Sequence, residues 1–332
     1  MRRLEDREKD MAKWPIRVLF VVPGLLAALV ALSGQATGQS YPIQRVTIVV
    51  PLGPGGVTDI VARIFADEMG KRWAQQVVVE NRPGLAGTGS VARSPADGYT
   101  LMMTSAGITV ARVVSKDAPF DPVRDFAGIT RVASAPHFLI AHPDLPAKSL
   151  KQVVDLAKAS PGTLRFSSPG LASTTFISAA LLRKAAGIDI AHVPFRSAPE
   201  AMTAVIRGDV QLYFAPTGAT KEQSEAGRVN PIAVLTPQRV SDLPHVPTVA
   251  EAAFQFSYDA WFGLMAPTGT PQDILDKISK DWADALRTPD VQAKLKAQFL
   301  LAHADTPPAM DKIVRDETNK LGTVFMEAGI GK

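Results

Sequence analysis

Alternation between short β-branched segments and longer helical patterns is the feature that most constrains the fold of this chain. It begins after Arg45, where the apolar segment Val46–Val50 runs into a glycine-rich loop at 51–56. Apolar residues then recur at the spacing of one helix face, at Val57, Val61, Ile64 and Phe65. A strand, a glycine loop and a helix therefore follow directly on one another. Repeated along a chain, this order predicts an α/β fold with mainly parallel sheets.

The same unit recurs further along the chain. A strand predicted at 164–167 leads into Ser168, Pro169 and Gly170, and an apolar helix stripe that ends at Gly187 follows. Further strands are predicted at 99–103, 138–141, 190–193, 210–214, 232–235 and 261–266. The chain is thus expected to repeat strand, loop and helix over most of its length.

Two helices have the start signal called a capping box. Ser197 precedes Glu200 by three residues, and Gly208 closes the helix that would follow. Thr270 likewise precedes Asp273, with a proline at the intervening first helical position. Both serine and threonine are therefore predicted as helix N-caps.

The N-terminal segment has the features of a secretory signal peptide. Residues 18–32 are uncharged and apolar, with Lys13 and Arg17 before them. Ala36 and Gly38 suit the small positions of a cleavage site. A membrane-spanning helix needs roughly 20 apolar residues, so a retained anchor is the less favoured alternative. Residues 1–38 are predicted to be cleaved, either from Met1 or from a start at Met11, and the protein to be periplasmic.

Composition excludes several classes of function. Without residues 1–38, which hold six of the Lys and Arg and four of the Asp and Glu, the net charge is about +2 and scattered, so no nucleic-acid surface is indicated. The absence of cysteine excludes disulfides and thiolate metal sites. The histidines show no metal-ligand spacing and no nucleophile elbow occurs; they are His137, His142, His192, His245 and His303. We therefore expect no enzyme, no metal and no cofactor.

The first glycine loop is a candidate anion site. Gly55 and Gly56 lack a Cβ and leave backbone amides open to a ligand at a helix N-terminus. No lysine of a phosphate-binding P-loop follows. Thr58 and Asp59 are expected at the cap and the first position of the helix, with Asp59 holding loop amides or a water instead of the ligand. A simple tight turn is the alternative for this loop.

The second loop offers hydroxyl groups at another helix start. Ser168, Gly170, Ser173 and Thr174 suit an anion without a fixed positive charge, although one of Ser173 and Thr174 is expected to be an ordinary N-cap. Two such loops could clamp one anionic ligand between them.

Six motifs in order carry a resemblance to a known family. They are VPLGPGGVTDIVAR (50–63), VVENRPG (78–84), ADGYTLMMTSA (96–106), AHVPFRSAPEAMTAVIRGDVQLYF (191–214), RVSDLPHVPTVAEA (239–252) and WFGLMAPTGTP (261–271). The chain resembles the substrate-binding receptors of tripartite tricarboxylate transporters, the Bug family, over nearly all of its length after residue 38. The resemblance implies a type II periplasmic-binding-protein fold, with two α/β lobes joined by crossover strands. Lobe 1 would comprise residues 39–137 and 259–332, and lobe 2 residues 138–258.

The resemblance also implies a small carboxylate as the ligand. It places the two cradles on the loops described above, with Ser105 and the Phe195 region lining the remainder. This chain has Phe176, Phe195 and Ala215 where the family commonly has histidine, tyrosine and aspartate. These replacements favour a carboxylate with an aromatic or alkyl body, unless Arg196 turns into the cleft and pairs with a second carboxylate.

A transport receptor is the function that these features favour. Its partners would be the small and the large integral membrane subunits of the transporter, and it would act as a monomer. An extracytoplasmic sensor that feeds a two-component signalling system is the alternative, and the sequence does not separate the two.

Overall fold

The computed structural model describes residues 41–327, so the predicted signal peptide lies outside the described residues. Ten strands occur in this range: β1 (Val46–Val50), β2 (Val77–Asn81), β3 (Thr100–Ser105), β4 (Phe126–Ala141), β5 (Arg165–Ser168), β6 (Ala191–Pro194), β7 (Leu212–Pro216), β8 (Asn230–Val234), β9 (Asp259–Pro267) and β10 (Leu301–Ala302). The α-helices of the same range are α1 (Val57–Trp73), α2 (Leu85–Ala92), α3 (Ala111–Val114), α4 (Leu150–Ala159), α5 (Thr174–Ala186), α6 (Ala198–Ile206), α7 (Thr217–Glu225), α8 (Gln272–Ala285), α9 (Pro289–Ala297) and α10 (Pro307–Glu327). A 3₁₀ helix, Ala106–Val110, follows β3.

The strands form one mixed sheet with the order β2-β1-β3-β9-β4-β7-β5-β6, and β8 and β10 also pair with β4. β1 runs parallel to β2 and β3, and β5 runs parallel to β6 and β7. Every pairing of β4 and β9 is antiparallel. The prediction of mainly parallel sheets was therefore wrong for the centre, because the long strands there return across the sheet instead of starting a strand-loop-helix unit.

Strand β4 connects the two halves of this sheet. Its residues from Phe126 to Pro136 pair with β9, and those from His137 to Ala141 pair with β7 and β8. We call β2, β1, β3 and β9 the first half-sheet, and β7, β5 and β6 the second half-sheet. The structure is a two-lobed α/β fold joined at β4, as the sequence predicted. The partner change at 136–137 lies beside the predicted lobe boundary, whose exact residues stay a prediction.

Aromatic packing fixes the helices to the sheet. On the first half-sheet, Phe65 of α1 and Trp282 of α8 are fully buried with ring centroids 5.2 Å apart. On the second, Phe138 and Tyr213 are buried in one cluster with the apolar face of α6. Burial of such rings contributes about 2 to 3 kcal/mol each. The loops at the strand ends are therefore held by rigid elements on both sides.

The helix-start predictions had different outcomes. The Ser197 hydroxyl accepts a hydrogen bond from the Glu200 amide at 3.3 Å, which confirms it as the N-cap of α6. Thr270 does not cap α8: its hydroxyl donates to the Pro267 carbonyl at 2.8 Å, and α8 begins after Pro271 without a side-chain cap. The threonine hydroxyl therefore stabilises the turn before the helix instead of the first helical turn. Among residues 41–327, no helix is long and apolar enough to cross a membrane.

Candidate ligand-binding site

A cavity of about 740 Å³ lies where the loops of the two half-sheets meet. Its walls come from the loop before α1, the first turn of α5, one face of α6, and α7, and its floor includes His137, Tyr213 and Phe262. This volume is within the range of pockets that enclose small organic molecules. Because β1, β5 and β7 all end towards the cavity, the α1, α5 and α7 helices that follow them begin at its edge.

The first loop presents backbone amides to the cavity. Gly56 is the N-cap of α1, so Thr58 is the second helical residue and Asp59 the third, each two positions further into the helix than predicted. Gly55, Gly56 and Thr58 line the cavity. The amides of a first helical turn have no partner within the helix, and the helix dipole adds partial positive charge there. This loop is therefore suited to an anion.

Asp59 supports this loop from behind. Its carboxylate accepts hydrogen bonds from the Gly55 amide at 3.0 Å, from Arg63 at 2.9 Å and from Asn81 at 3.0 Å. Burial acts to raise the pKa of Asp59, but the hydrogen bonds from Arg63, Gly55 and Asn81 outweigh it and hold the pKa below its usual value. The aspartate therefore stays ionised and fixes Gly55 at a φ of +79°, a conformation that glycine adopts without strain.

The second loop forms a hydrogen-bonded turn ahead of α5. Ser173 is the N-cap, because its hydroxyl accepts from the Phe176 amide at 3.2 Å and donates to the Gly170 carbonyl at 2.7 Å. Ser168 bonds the imidazole of His192 at 2.6 Å and the Gly170 amide at 3.1 Å. Ser173 and Thr174 line the cavity. The expectation that one of that pair is an ordinary N-cap is confirmed.

A third helix N-terminus, which the sequence analysis missed, also borders the cavity. Helix α7 begins directly after β7, with Pro216 as its N-cap, and both Pro216 and Gly218 line the cavity. The sequence does contain a pattern that indicates this helix start. The strand predicted at 210–214 is followed, after Ala215, by Pro-Thr-Gly, the same kind of strand and loop as at the first two sites. Three helices therefore direct their N-terminal dipoles towards one cavity.

Two polar and uncharged side chains, those of His137 and Tyr213, lie on the floor of the cavity. The His137 imidazole contacts the Ser178 hydroxyl at 3.1 Å and the Thr174 hydroxyl at 3.5 Å. Burial lowers the pKa of His137 to about 3, so the ring is neutral near pH 7. Burial also raises the pKa of Tyr213 to about 12, although a hydrogen bond with Thr175 acts in the opposite direction. Sequence reasoning passed over His137 because no neighbour in the chain marks it.

Five of the residues predicted for the site lie outside the cavity lining. Asp59, Ser168 and Gly170 support the two loops from behind. Ser105 is buried and caps the 3₁₀ helix by accepting from the Gly107 amide at 3.4 Å. Phe195 is half-buried against the cluster beneath α6. Their contact with a ligand stays a prediction.

Two of the three residues predicted to form an apolar cleft wall, Phe176 and Ala215, are buried in the core. Phe176 is 3% exposed, and its ring lies 4.8 Å from the His192 ring and 5.9 Å from the Phe325 ring in the core. Ala215 is fully buried in β7. The outward face of the first turn of α5 belongs to Thr174, and Phe176 is turned away from it. Arg196 is exposed, and its backbone amide donates to Glu200 at 3.2 Å.

The apolar part of the wall comes from other segments. Met202 and Ile206 of α6, Ala219 of α7 and Phe299 contribute it. The charged lining residues on and just after α7 are paired with each other: Lys221 bonds Glu225, and Arg228 lies 3.8 Å from Glu222. Positive charge on this wall is therefore matched by carboxylates.

Comparison with known proteins gives consistent matches. A family model described as "Tripartite tricarboxylate transporter family receptor" matches residues 61–330. Protein BugT of Bordetella pertussis is 29% identical over 317 residues, which are 94% of this chain and 97% of that protein. The structure titled "R. palustris Rpa4515 with adipate" has a TM-score of 0.81 and 31% identity, and covers 88% of this chain and 99% of its own. "MatC (Rpa3494) from Rhodopseudomonas palustris with bound malate" has the same TM-score and 28% identity, with 86% and 99% covered.

Proposed function

The chain belongs to the tripartite tricarboxylate transporter receptor family, and from this premise we propose that it is a periplasmic receptor for a small carboxylate. It would enclose one ligand in the cavity and deliver it to a transporter made of a small and a large integral membrane subunit. It would act by binding and release, without chemical change of the ligand.

The convergence of three helix N-termini on one cavity is the observation that carries this proposal. The first turns of α1, α5 and α7 offer amide donors, and the floor adds the hydroxyl of Tyr213. No cation in the described lining is free of a carboxylate partner. A carboxylate is one of the anions that such donors hold by charge-assisted hydrogen bonds. The titles of two similar structures name adipate and malate as their ligands, which supports the same class here.

For the body of the ligand we propose a largely apolar chain. The cavity lining also includes Met202 and Ile206 of α6, and Phe299, whose ring lies beside Gly218 in the first turn of α7. Apolar surface buried there contributes roughly 25 cal/mol per Å². A second carboxylate beside the charged part of this lining would meet Glu222 and Glu225 next to the cations that they already pair with, and would lose its hydration without a free donor.

Hexanoate and adipate test both parts of the proposal, because they have the same carbon number and differ by one carboxylate. Calorimetric titration of the protein that starts at Gln39 should show binding of hexanoate, and a weaker affinity for adipate. Thr174→Val removes a cavity hydroxyl with little change of shape and should weaken both acids. Thr323→Val, on the exposed face of α10, is the control. Absence of binding to both acids would contradict the carboxylate receptor, whereas tighter binding of adipate would contradict only the apolar body.

A further inference from the structure

Two close contacts between the half-sheets occur at glycines. The loop after β1 meets the segment before α6 at Gly53, where a Cβ would lie 2.4 Å from the Arg196 carbonyl oxygen. The 3₁₀ helix after β3 meets the segment before α5 at Gly107, where a Cβ would lie 2.1 Å from the Ala172 carbonyl oxygen. Real Cβ atoms essentially never approach other heavy atoms within 3.0 Å. Each contact therefore requires a residue without a side chain.

The backbone conformation does not explain these two glycines. Gly55 has a φ of +79° and needs glycine for its conformation, whereas neither Gly53 nor Gly107 is among the glycines with positive φ. Alanine could adopt the backbone at both positions, and only the opposite segment excludes its methyl group. The requirement for glycine thus arises between the half-sheets and not within either loop.

The two contacts are built alike. Arg196 and Ala172, whose carbonyls face the glycines, each stand directly before an N-cap serine, Ser197 of α6 and Ser173 of α5. Both helices border the ligand cavity, α6 along its wall and α5 by its first turn. Approach of the glycines to these carbonyls therefore brings the first-half-sheet loops against the starts of the helices that enclose the ligand.

We propose that Gly53 and Gly107 are closure residues, whose missing side chains let the two lobes come together around the ligand. This rests on the proposed receptor function and adds a structural requirement for its closed state. Gly107 lies outside the cavity lining and acts only through the contact with Ala172. A methyl group there displaces the opposing carbonyl by about an ångström, which is enough to break packed contact and disfavour the closed form.

Alanine substitution tests this proposal in the protein that starts at Gln39. Gly107→Ala and Gly53→Ala should each weaken the affinity for the tighter of hexanoate and adipate by about tenfold or more, because less of the protein reaches the binding-competent closed state. Gly70→Ala in α1 is the matched control. A Cβ at Gly70 would lie 3.5 Å from the Gln75 carbonyl oxygen, which is an ordinary van der Waals contact. Its affinity should equal that of the unmodified protein.

A distance measurement separates closure from folding. The chain has no cysteine, so spin labels at Lys116→Cys and Leu171→Cys report on the two sides of the Gly107 contact. The labelled protein should populate a short distance that the acid enriches, and Gly107→Ala should shift it to longer distances while thermal unfolding stays cooperative. Wild-type affinity and distances in both alanine variants would overturn the proposal. If neither acid binds the unmodified protein, the receptor proposal fails, and the distance distributions without acid still decide whether alanine opens the contact. Should Gly107→Ala not fold, the distance distribution of Gly53→Ala without acid decides instead, because Gly53 itself lines the cavity and its affinity would also report direct contact with the ligand.

Discussion

Replacing Glu317 with glutamine should remove a loss of stability that the protein otherwise undergoes as the pH rises. Glu317 lies on α10, and its carboxyl accepts a hydrogen bond from the Trp261 indole at 2.5 Å. Burial raises the pKa of Glu317 to about 7, against smaller opposing effects of the Trp261 hydrogen bond and of Lys320. Asp259 acts in the same direction as burial, and Arg131 opposes it.

The sign and size of the effect follow from this shift. The unfolded chain ionises Glu317 near pH 4.5, whereas the folded protein keeps the proton until about pH 7. Between these values the folded state binds more protons at this site, so the contribution of Glu317 to stability is greatest below pH 4.5 and is lost as the pH rises to 7. A shift from 4.5 to about 7 corresponds to about 3 kcal/mol. Glutamine has no charge to bury and still offers an oxygen to Trp261.

Urea unfolding at pH 4.5, 6 and 8, followed by tryptophan fluorescence, measures this effect. The free energy of unfolding of Glu317→Gln minus that of the unmodified protein should rise by about 3 kcal/mol from the lowest pH to the highest. Histidine titrations are common to both proteins and cancel in the difference. Asp316→Asn, an exposed carboxylate on the same helix, should show no such rise. A difference for Glu317→Gln that is constant with pH would refute the reasoning.

Two more substitutions probe the loop support and the core. Asp59→Asn should weaken carboxylate binding by about tenfold, because it weakens the charge-assisted hydrogen bond that holds the Gly55 amide in place. Calorimetric titration measures the affinity, and Asp67→Asn is the control because Asp67 lies in an exposed ion pair on the same helix. Equal affinities of the two variants would contradict the supporting role of Asp59. Phe176→Leu should lower the free energy of unfolding by about 1 to 2 kcal/mol and leave the ratio of hexanoate to adipate affinity unchanged, because the ring is in the core. A changed ratio would return Phe176 to the ligand site.

Local sequence patterns were sufficient for the elements and for two sides of the cavity. The strand Val46–Val50, the glycine loop after it and the N-cap role of Ser197 depend on neighbours within a few residues and are as predicted. The prediction that one of Ser173 and Thr174 caps its helix is confirmed as well, with Ser173 as the cap. Strand β2 and the first part of β4 escaped prediction. Their identity depends on the partner strands that pair with them, which no local pattern specifies.

The sequence by itself determined the family, the α/β class and the two glycine and serine loops, because each resides in a contiguous motif. The tertiary structure determined which segments of the chain contact one another around the cavity. Only the sheet order brings α7 to the same cavity as α1 and α5, and only the partner change in β4 places His137 on the cavity floor. The orientation of α5 about its own axis places Phe176 in the core and Thr174 at the cavity. These outcomes depend on contacts between distant segments, whose free energies are set by the packing of the whole chain.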